Sequence, residues 1–275
     1  MSYKTILVHA GRGNRSAVCI EVAIRMAKQH DAYLVTIYVQ EPFFFPGYLM
    51  QAGQEISEAQ KKVAAEEMAS AKAVYNQQAS SVGFKNTEWR STVDFPVNAL
   101  AMQARYADLV IVGQTDFSDK SNMSKDFPAQ LALAAGRPVL ILPYAGSFLS
   151  IGSRILIAWN ASREATRAIT DALPLLKRAD SVNLIAISPK RDTQGRIAVD
   201  DIVHYLARHG VNVKVSTEHV ADIDVGNALL SRSADISADL LVMGGYGHSR
   251  LSEWVLGGAT RTILESMTVP VLMSH

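Results

Sequence analysis

The sequence contains few of the residues that mark secreted or nucleic-acid-binding proteins. Of its 275 residues only Cys19 is a cysteine, so no disulfide can form within the chain. Cys19 lies in an apolar helical pattern that favours a packed thiol over a nucleophile. The 27 basic and 26 acidic residues leave a net charge of +1, and no basic run favours nucleic acid. We therefore expect a globular protein in a reducing cytoplasm.

Long hydrophobic runs are also missing. The first apolar run ends at His9 and Gly11, before the core of a signal peptide could form. The longest uncharged stretch, 138–153, contains Pro143 and Gly152 and fits a strand followed by a linker better than a membrane helix. We expect neither export nor a membrane partner.

The sequence shows no signature of dedicated catalysis. It has no nucleophile elbow, Walker lysine or paired-carboxylate arrangement, so we predict no catalytic residues. His204 and His219 lack cysteine or carboxylate partners at metal-ligand spacing, so we predict no metal site. A dedicated hydrolase or kinase is disfavoured, and we expect any ATP turnover to be slow.

What the sequence does contain is a repeat of itself. The segment KTILVH at 4–9 returns as SRILIA at 153–158, an offset of 155 − 6 = 149. The segment ADLVIVG at 107–113 returns as ADLLVMG at 238–244, an offset of 244 − 113 = 131. Both halves close on a Pro-Val-Leu strand. The lower offset places extra residues of the first half between Pro42 and Ala79.

Within each half, apolar runs alternate with helical patterns, which is typical of crossover units around a parallel sheet. The predicted strands are 5–8, 33–39, 109–112, 138–142, 154–158, 182–187, 211–215, 240–243 and 269–273. Helices are predicted over 55–78 and over 165–176, where Pro174 should bend the helix. The sequence thus predicts two tandem α/β domains with open parallel, Rossmann-like sheets, at 1–146 and 152–275.

The segment 243–264 has the composition of an anion-binding loop. It follows a predicted strand and enters the last predicted helix, where open α/β sheets bind ligands. Gly244 and Gly247 can adopt positive φ, while Gly257 and Gly258 stand where helix amides and the helix dipole could hold an anion. The glycines alone suit an ordinary turn and helix start equally well.

The spacing G-x2-G-x9-G over Gly244, Gly247 and Gly257, with the repeated strands, resembles the ATP-binding branch of the universal stress protein family. The resemblance covers both halves and implies two adenine nucleotide alpha hydrolase-like domains. It implies a stress-response protein that binds ATP or AMP, with or without magnesium, in the second domain. It also implies that the closing strands pair, so that the halves form an intramolecular pseudo-dimer, and leaves homodimerisation open.

By this resemblance, a set of residues in the second half would bind the nucleotide. They are Ala158, Asn160, Ile187, Met243, Gly244, Gly247, His248, Ser249, Gly257, Gly258 and Ala259. Ala158 and Ile187 would line the adenine pocket, although core packing explains both equally well. His248 and Ser249 could meet the phosphates or be solvated.

Two of these positions depart from the family pattern. Gly258 stands where the family has a serine or threonine whose hydroxyl helps to bind phosphate, and Thr260 could replace it only if the helix start were displaced. Asn160 stands where the family has an aspartate near the adenosine. An amide keeps an acceptor oxygen and loses the charge.

The first half departs further from the pattern. Gly113-Gln-Thr-Asp116 replaces the first glycine pair, and the carboxylate of Asp116 would repel a phosphate. Gly11 stands at the position of Asn160. We expect the first domain to be degenerate, supplying structure or dimer-like packing, or holding a different ligand. A nucleotide-independent interaction protein with a vestigial loop is the alternative function.

Overall fold

The computed structural model describes residues 2–11, 15–42, 53–115, 124, 126–188, 199–219, 225–245 and 258–275. Within these ranges the chain forms ten strands and eight helices. The strands are β1 (Thr5–His9), β2 (Tyr33–Gln40), β3 (Thr87–Val93), β4 (Leu109–Gly113), β5 (Val139–Leu142), β6 (Arg154–Trp159), β7 (Ser181–Ser188), β8 (Val213–His219), β9 (Leu240–Gly244) and β10 (Val271–Ser274). The helices are α1 (Arg15–His30), α2 (Gly53–Ser81), α3 (Pro96–Ala104), α4 (Phe127–Ala134), α5 (Arg163–Leu176), α6 (Val199–Arg208), α7 (Val225–Asp235) and α8 (Gly258–Ser266).

The described strands form one sheet that runs through both halves, in the order β3-β2-β1-β4-β5-β10-β9-β6-β7-β8. Neighbouring strands within each half are parallel, and their apolar runs are buried on both faces. The halves meet where β5 and β10 pair antiparallel, with Leu140 opposite Leu272. The two closing strands therefore pair, as the resemblance implies.

Helices cover both faces of the sheet. Residues of α1, α2, α5 and α6 pack into one core, and residues of α3, α4, α7 and α8 pack into the other. Successive strand residues enter opposite cores, so Ile6 and Val8 face the first layer and Leu7 faces the second. Burial of each such side chain contributes roughly 2 kcal/mol relative to exposure. The architecture is the predicted α/β fold, with three layers.

The aspartate of the repeated Ala-Asp-Leu motif joins strands at equivalent places in the two halves. The Asp108 carboxylate accepts the Thr5 N–H at 2.9 Å, and the Asp239 carboxylate accepts the Arg154 N–H at 2.8 Å. Each bond fixes the start of the first strand of its half against the neighbouring strand. The same aspartate therefore makes an equivalent hydrogen bond in each half, which explains why the motif is repeated.

The nine predicted strands and the predicted helices are confirmed, with shifts of a few residues at their ends. The strand β3 was not predicted, because it lies at the sheet edge and its sequence TEWRSTV is polar and largely exposed. The extra residues of the first half include much of α2, which has 29 residues against 10 in α6. Helix α5 contains Pro174 and continues to Leu176.

No helix in the part of the chain that the structure describes is both long enough and apolar enough to cross a membrane.

Candidate functional site

The candidate site lies where the strand order of the second half changes direction. β6 and β9 are neighbours, with Ile157 opposite Val242. β7 and β8 extend the sheet on one side of β6, whereas β9 returns on the other side. Such a switch point opens a crevice beyond the carboxyl ends of the strands, where open parallel sheets bind ligands. The equivalent point of the first half lies between β1 and β4.

Asn160 organises the turn from β6 into α5. Its side-chain oxygen accepts the N–H of Ser162 at 3.1 Å, and Ala161 between them adopts a φ of +59°. The Ser162 hydroxyl in turn accepts the N–H of Ala165 at 3.1 Å and caps the helix. Because the turn already uses the Asn160 oxygen, this exposed side chain offers a ligand chiefly its NH2 group.

Gly244 ends β9 directly against the first turn of α5. A Cβ at this position would lie 2.5 Å from the nitrogen of Ala165 and 2.6 Å from the carbonyl carbon of Glu164. Gly244 does not use the positive φ that a glycine can adopt, since it is absent from the described glycines whose φ is positive. Glycine is needed here because the helix backbone approaches so closely.

Glu164 is a buried acid beside Gly244 that the sequence analysis did not single out. Its burial disfavours the charged form, but its own backbone amide, the Ser162 hydroxyl and Arg163 outweigh that cost. The pKa of the Glu164 carboxyl therefore lies below its usual range. The internal repeat could have indicated this position. At the offset of 164 − 15 = 149, Glu164 corresponds to Arg15. Arg15 lies beside Gly113 in the first half, as Glu164 lies beside Gly244 in the second.

Two other predicted residues on the strands pack into the core. The Met243 side chain is buried in the core beneath α7 and α8. Ala158 is half-buried and packs against the same core. The backbone of Ile187 lies in β7, opposite Glu218 of β8.

The described part of α8 leaves space at its first residue. Gly258 begins the described part of the helix, and no atom of the described residues lies within 4 Å of the position that a Cβ would occupy. Ala259 is half-buried, and Thr260 is buried. Four of the predicted residues lie outside the described residues, namely Gly247, His248, Ser249 and Gly257.

The first half carries larger side chains at the equivalent positions. His9 corresponds to Ala158, is buried, and packs on Phe127 with a centroid separation of 5.7 Å. Gln114 corresponds to Gly245 and is also buried. Its Nε2 donates to the Leu264 carbonyl at 2.7 Å, so it bonds to the other half of the molecule. Asp116 lies outside the described residues.

The lone cysteine and the histidines form no reactive or metal-binding cluster in the described ranges. Burial raises the pKa of the Cys19 thiol to about 12, so the thiol stays protonated and packed. Among the described residues, no group of three or more His, Cys, Asp or Glu could hold a metal ion.

Two similar halves, each of parallel strands with helices on both faces, define a Rossmann-like α/β protein. The sequence model described as "Universal stress protein family" matches residues 2–143 and 153–275. The chain therefore belongs to the universal stress protein family.

Solved structures show the same fold along the whole chain. A universal stress protein from Archaeoglobus fulgidus DSM 4304 is 18% identical, with a TM-score of 0.70, covering 98% of this chain and 97% of that chain. A candidate universal stress protein from Pseudomonas aeruginosa UCBPP-PA14 is 17% identical, with a TM-score of 0.64, covering 99% of this chain and 93% of that chain.

A shorter universal stress protein has been solved in complex with cAMP, so at least one member of the family binds a nucleotide. It is 23% identical, with a TM-score of 0.36, and covers 52% of this chain and 98% of that chain. A likeness at this level does not locate a site in the present protein. No curated protein matches the sequence.

Proposed function

We propose that this protein is a stress-response protein that binds ATP or AMP in its second half. The observation that carries the proposal is the glycine spacing of the family's ATP-binding branch, which leads to Gly258 at the start of α8, where no described residue lies within 4 Å of a Cβ position. Free amides and the positive end of the helix dipole favour an anionic group at such a helix start. Family membership and the switch-point position of β6 and β9 support the same function.

In this proposal the two ends of the nucleotide have different neighbours. The adenosine lies beyond β6 and β7, near Ala158, Asn160 and Ile187. The phosphates lie along the segment from Gly244 to Gly258, with magnesium arriving only as part of the nucleotide. The sequence has no signature of a dedicated hydrolase or kinase, so we propose binding as the function and expect any ATP turnover to be slow.

Substitutions at two glycines test this proposal. Gly247→Asp adds a carboxylate in the phosphate segment and should abolish binding of ATP and AMP in isothermal titration. Gly258→Ser restores the hydroxyl of the family pattern at a position where no described residue would contact the added Cβ. The added hydroxyl would donate a charge-assisted hydrogen bond to a phosphate oxygen and should tighten binding by roughly tenfold or more. Gly258→Ala is the matched control and should bind like the wild type.

The alternative is a protein that acts through a partner without a nucleotide. Two observations favour it, namely the missing hydroxyl at Gly258 and the use of the Asn160 oxygen within its own turn. Under this alternative the wild type ignores millimolar ATP and AMP, and Gly258→Ser and Asn160→Asp do not create binding. Capture of one defined protein, equally by wild type and Gly247→Asp, would then identify the function.

A further inference from the structure

The strand β3 forms one lateral edge of the sheet, and in the part of the chain that the structure describes no strand lies beyond it. Its sequence TEWRSTV contains no proline, glycine or lysine and pairs with β2 in one regular parallel register over seven residues. The residues from Arg90 to Val93 are exposed. Proteins commonly protect such an edge with lysine, proline or a bulge. β3 therefore retains an edge on which another strand can pair.

The hydrogen bonds to β2 determine which backbone groups of β3 point outward. At one end of the strand pair the Leu34 N–H donates to the Asn86 carbonyl at 2.9 Å. At the other end the Asp94 N–H donates to the Gln40 carbonyl at 3.0 Å. Because residues alternate along a strand, the even-numbered residues of β3 bond to β2. The N–H and C=O groups of the odd-numbered residues, with Trp89 at the middle, point away from β2.

The charged residues of β3 are complementary to those of a second copy of the strand. Glu88 and Arg90 lie on one face of β3, one on each side of Trp89, and form an ion pair with each other. The Arg90 guanidinium also donates to the Gln103 side chain of α3, which holds it on this face. When two β3 strands run antiparallel with Trp89 opposite Trp89, each Glu88 lies opposite the Arg90 of the other copy. The four charges then alternate in sign.

These charges select one register from those that the backbone allows. Only registers that oppose odd-numbered residues use the outward N–H and C=O groups, so neighbouring registers differ by two residues. A shift of two residues places Glu88 opposite Glu88 in one direction and Arg90 opposite Arg90 in the other. Opposite charges on facing residues stabilise a strand pair, and like charges destabilise it. The register centred on Trp89 is therefore favoured.

The backbone also suits the register that the charges select. In an antiparallel pair, residues that exchange two hydrogen bonds alternate with residues that exchange none, and the side chains of the latter lie closer together. With Trp89 opposite Trp89, the outward groups of Thr87 and Ser91 face each other and form hydrogen bonds. Glu88 and Arg90 then occupy the closer, non-hydrogen-bonded positions, where facing charges interact most strongly.

We propose that two copies of this chain associate through β3, antiparallel and centred on Trp89, so that one sheet continues across both copies. The contact is self-complementary, as a twofold axis requires. It joins two short strands and is small, so we expect a weak dimer with a dissociation constant on the order of 100 µM. The contact uses no residue of the proposed nucleotide site, so either proposal can fail without the other.

Charge variants of the whole protein test the register by sedimentation velocity at about 10–300 µM. Arg90→Glu and Glu88→Arg each place like charges opposite each other, and each should weaken the dimer roughly tenfold or more. An equimolar mixture of the two variants, or the double variant that carries both changes, restores opposite charges and should restore association. A wild type that stays monomeric, single variants that associate like the wild type, or a mixture that stays monomeric would overturn the proposal.

Proline variants test the edge itself. Ser91→Pro removes an outward N–H that the dimer needs and leaves the bonds to β2 intact, so it should abolish association. Val93→Pro is the matched control, because in this register Val93 lies opposite Lys85, outside β3, and its N–H is not needed. Lys214→Glu changes β8, at the other edge of the sheet, and should also leave association unchanged. Association that survives Ser91→Pro, or that Lys214→Glu removes, would refute the contact through β3.

Discussion

At the scale of single residues, burial holds two histidines of the first half neutral. His9 and His30 are 5% and 4% exposed. Burial lowers the pKa of His9 to about 4, and burial with the nearby charge of Arg178 lowers the pKa of His30 to about 4. An ordinary histidine in the unfolded chain titrates near 6.5. Between these values the unfolded chain binds protons that the native protein does not bind.

This difference predicts that the protein loses stability in mild acid. The sign follows from linkage, since the unfolded state takes up more protons as the pH falls from 6.5 towards 4. Protonation of each histidine in the unfolded chain then lowers the free energy of unfolding by up to roughly 3 kcal/mol as the pH falls to about 4. Above about pH 7 both states are neutral at this histidine, so its contribution to stability no longer changes with pH. Urea unfolding at several pH values measures the slope. His9→Gln and His30→Gln should each reduce it, and an unchanged slope in both variants would contradict the assignment.

At the scale of elements, the close contact between β9 and α5 requires glycine at position 244. The equivalent glycine of the first half, Gly113, has no helix backbone so close to it. Gly244→Ala would force a Cβ into the backbone of α5 and should lower the free energy of unfolding by about 2–3 kcal/mol. Gly113→Ala in β4 is the matched control, because its Cβ would meet the flexible Arg15 side chain at 3.3 Å. It should cost less than about 1 kcal/mol. Chemical denaturation compares them, and equal losses would contradict the argument.

The elements that the sequence predicts well are those whose apolar side chains are buried. The central strands were recognisable because both of their faces are apolar, as in the run from Leu109 to Val112. β3 was not recognisable, because an edge strand with exposed residues lacks that pattern. The repeat also revealed the common fold of the halves, since one register relates their strands and helices.

The candidate site was less predictable for a different physical reason. Glycine spacing indicates where a chain could bind an anion, but not why each glycine is required. Gly244 is needed for close packing rather than for positive φ, and the Asn160 oxygen is used by the adjoining turn. Such facts depend on tertiary packing, which local patterns do not encode.

At the scale of the whole molecule, the two halves are joined by more than the β5–β10 pair. The Gln114 side chain is 5% exposed, donates to the Leu264 carbonyl at 2.7 Å, and accepts the Tyr144 N–H at 2.9 Å. It thus connects the ends of β4 and β5 to the last turn of α8. Removal of this amide leaves buried polar groups without a partner.

We therefore expect Gln114→Ala to lower the free energy of unfolding of the whole chain by roughly 1–3 kcal/mol. Gln78→Ala is the control, since the Gln78 amide donates to the Ala17 carbonyl within the first half and is only partly buried. It should cost less. Urea unfolding followed by both far-UV circular dichroism and tryptophan fluorescence measures the loss. A Gln114→Ala variant as stable as Gln78→Ala would show that this bridge does not hold the halves together.

The central claim for the molecule is that its second half retains the capacity to hold a nucleotide that the first half has lost. Isothermal titration of ATP and AMP into the wild type, Gly247→Asp and Gly258→Ser measures it most directly. The account predicts one site per chain in the wild type, no binding in Gly247→Asp and tighter binding in Gly258→Ser. Absence of binding in all three, or the same binding in wild type and Gly247→Asp, would contradict it.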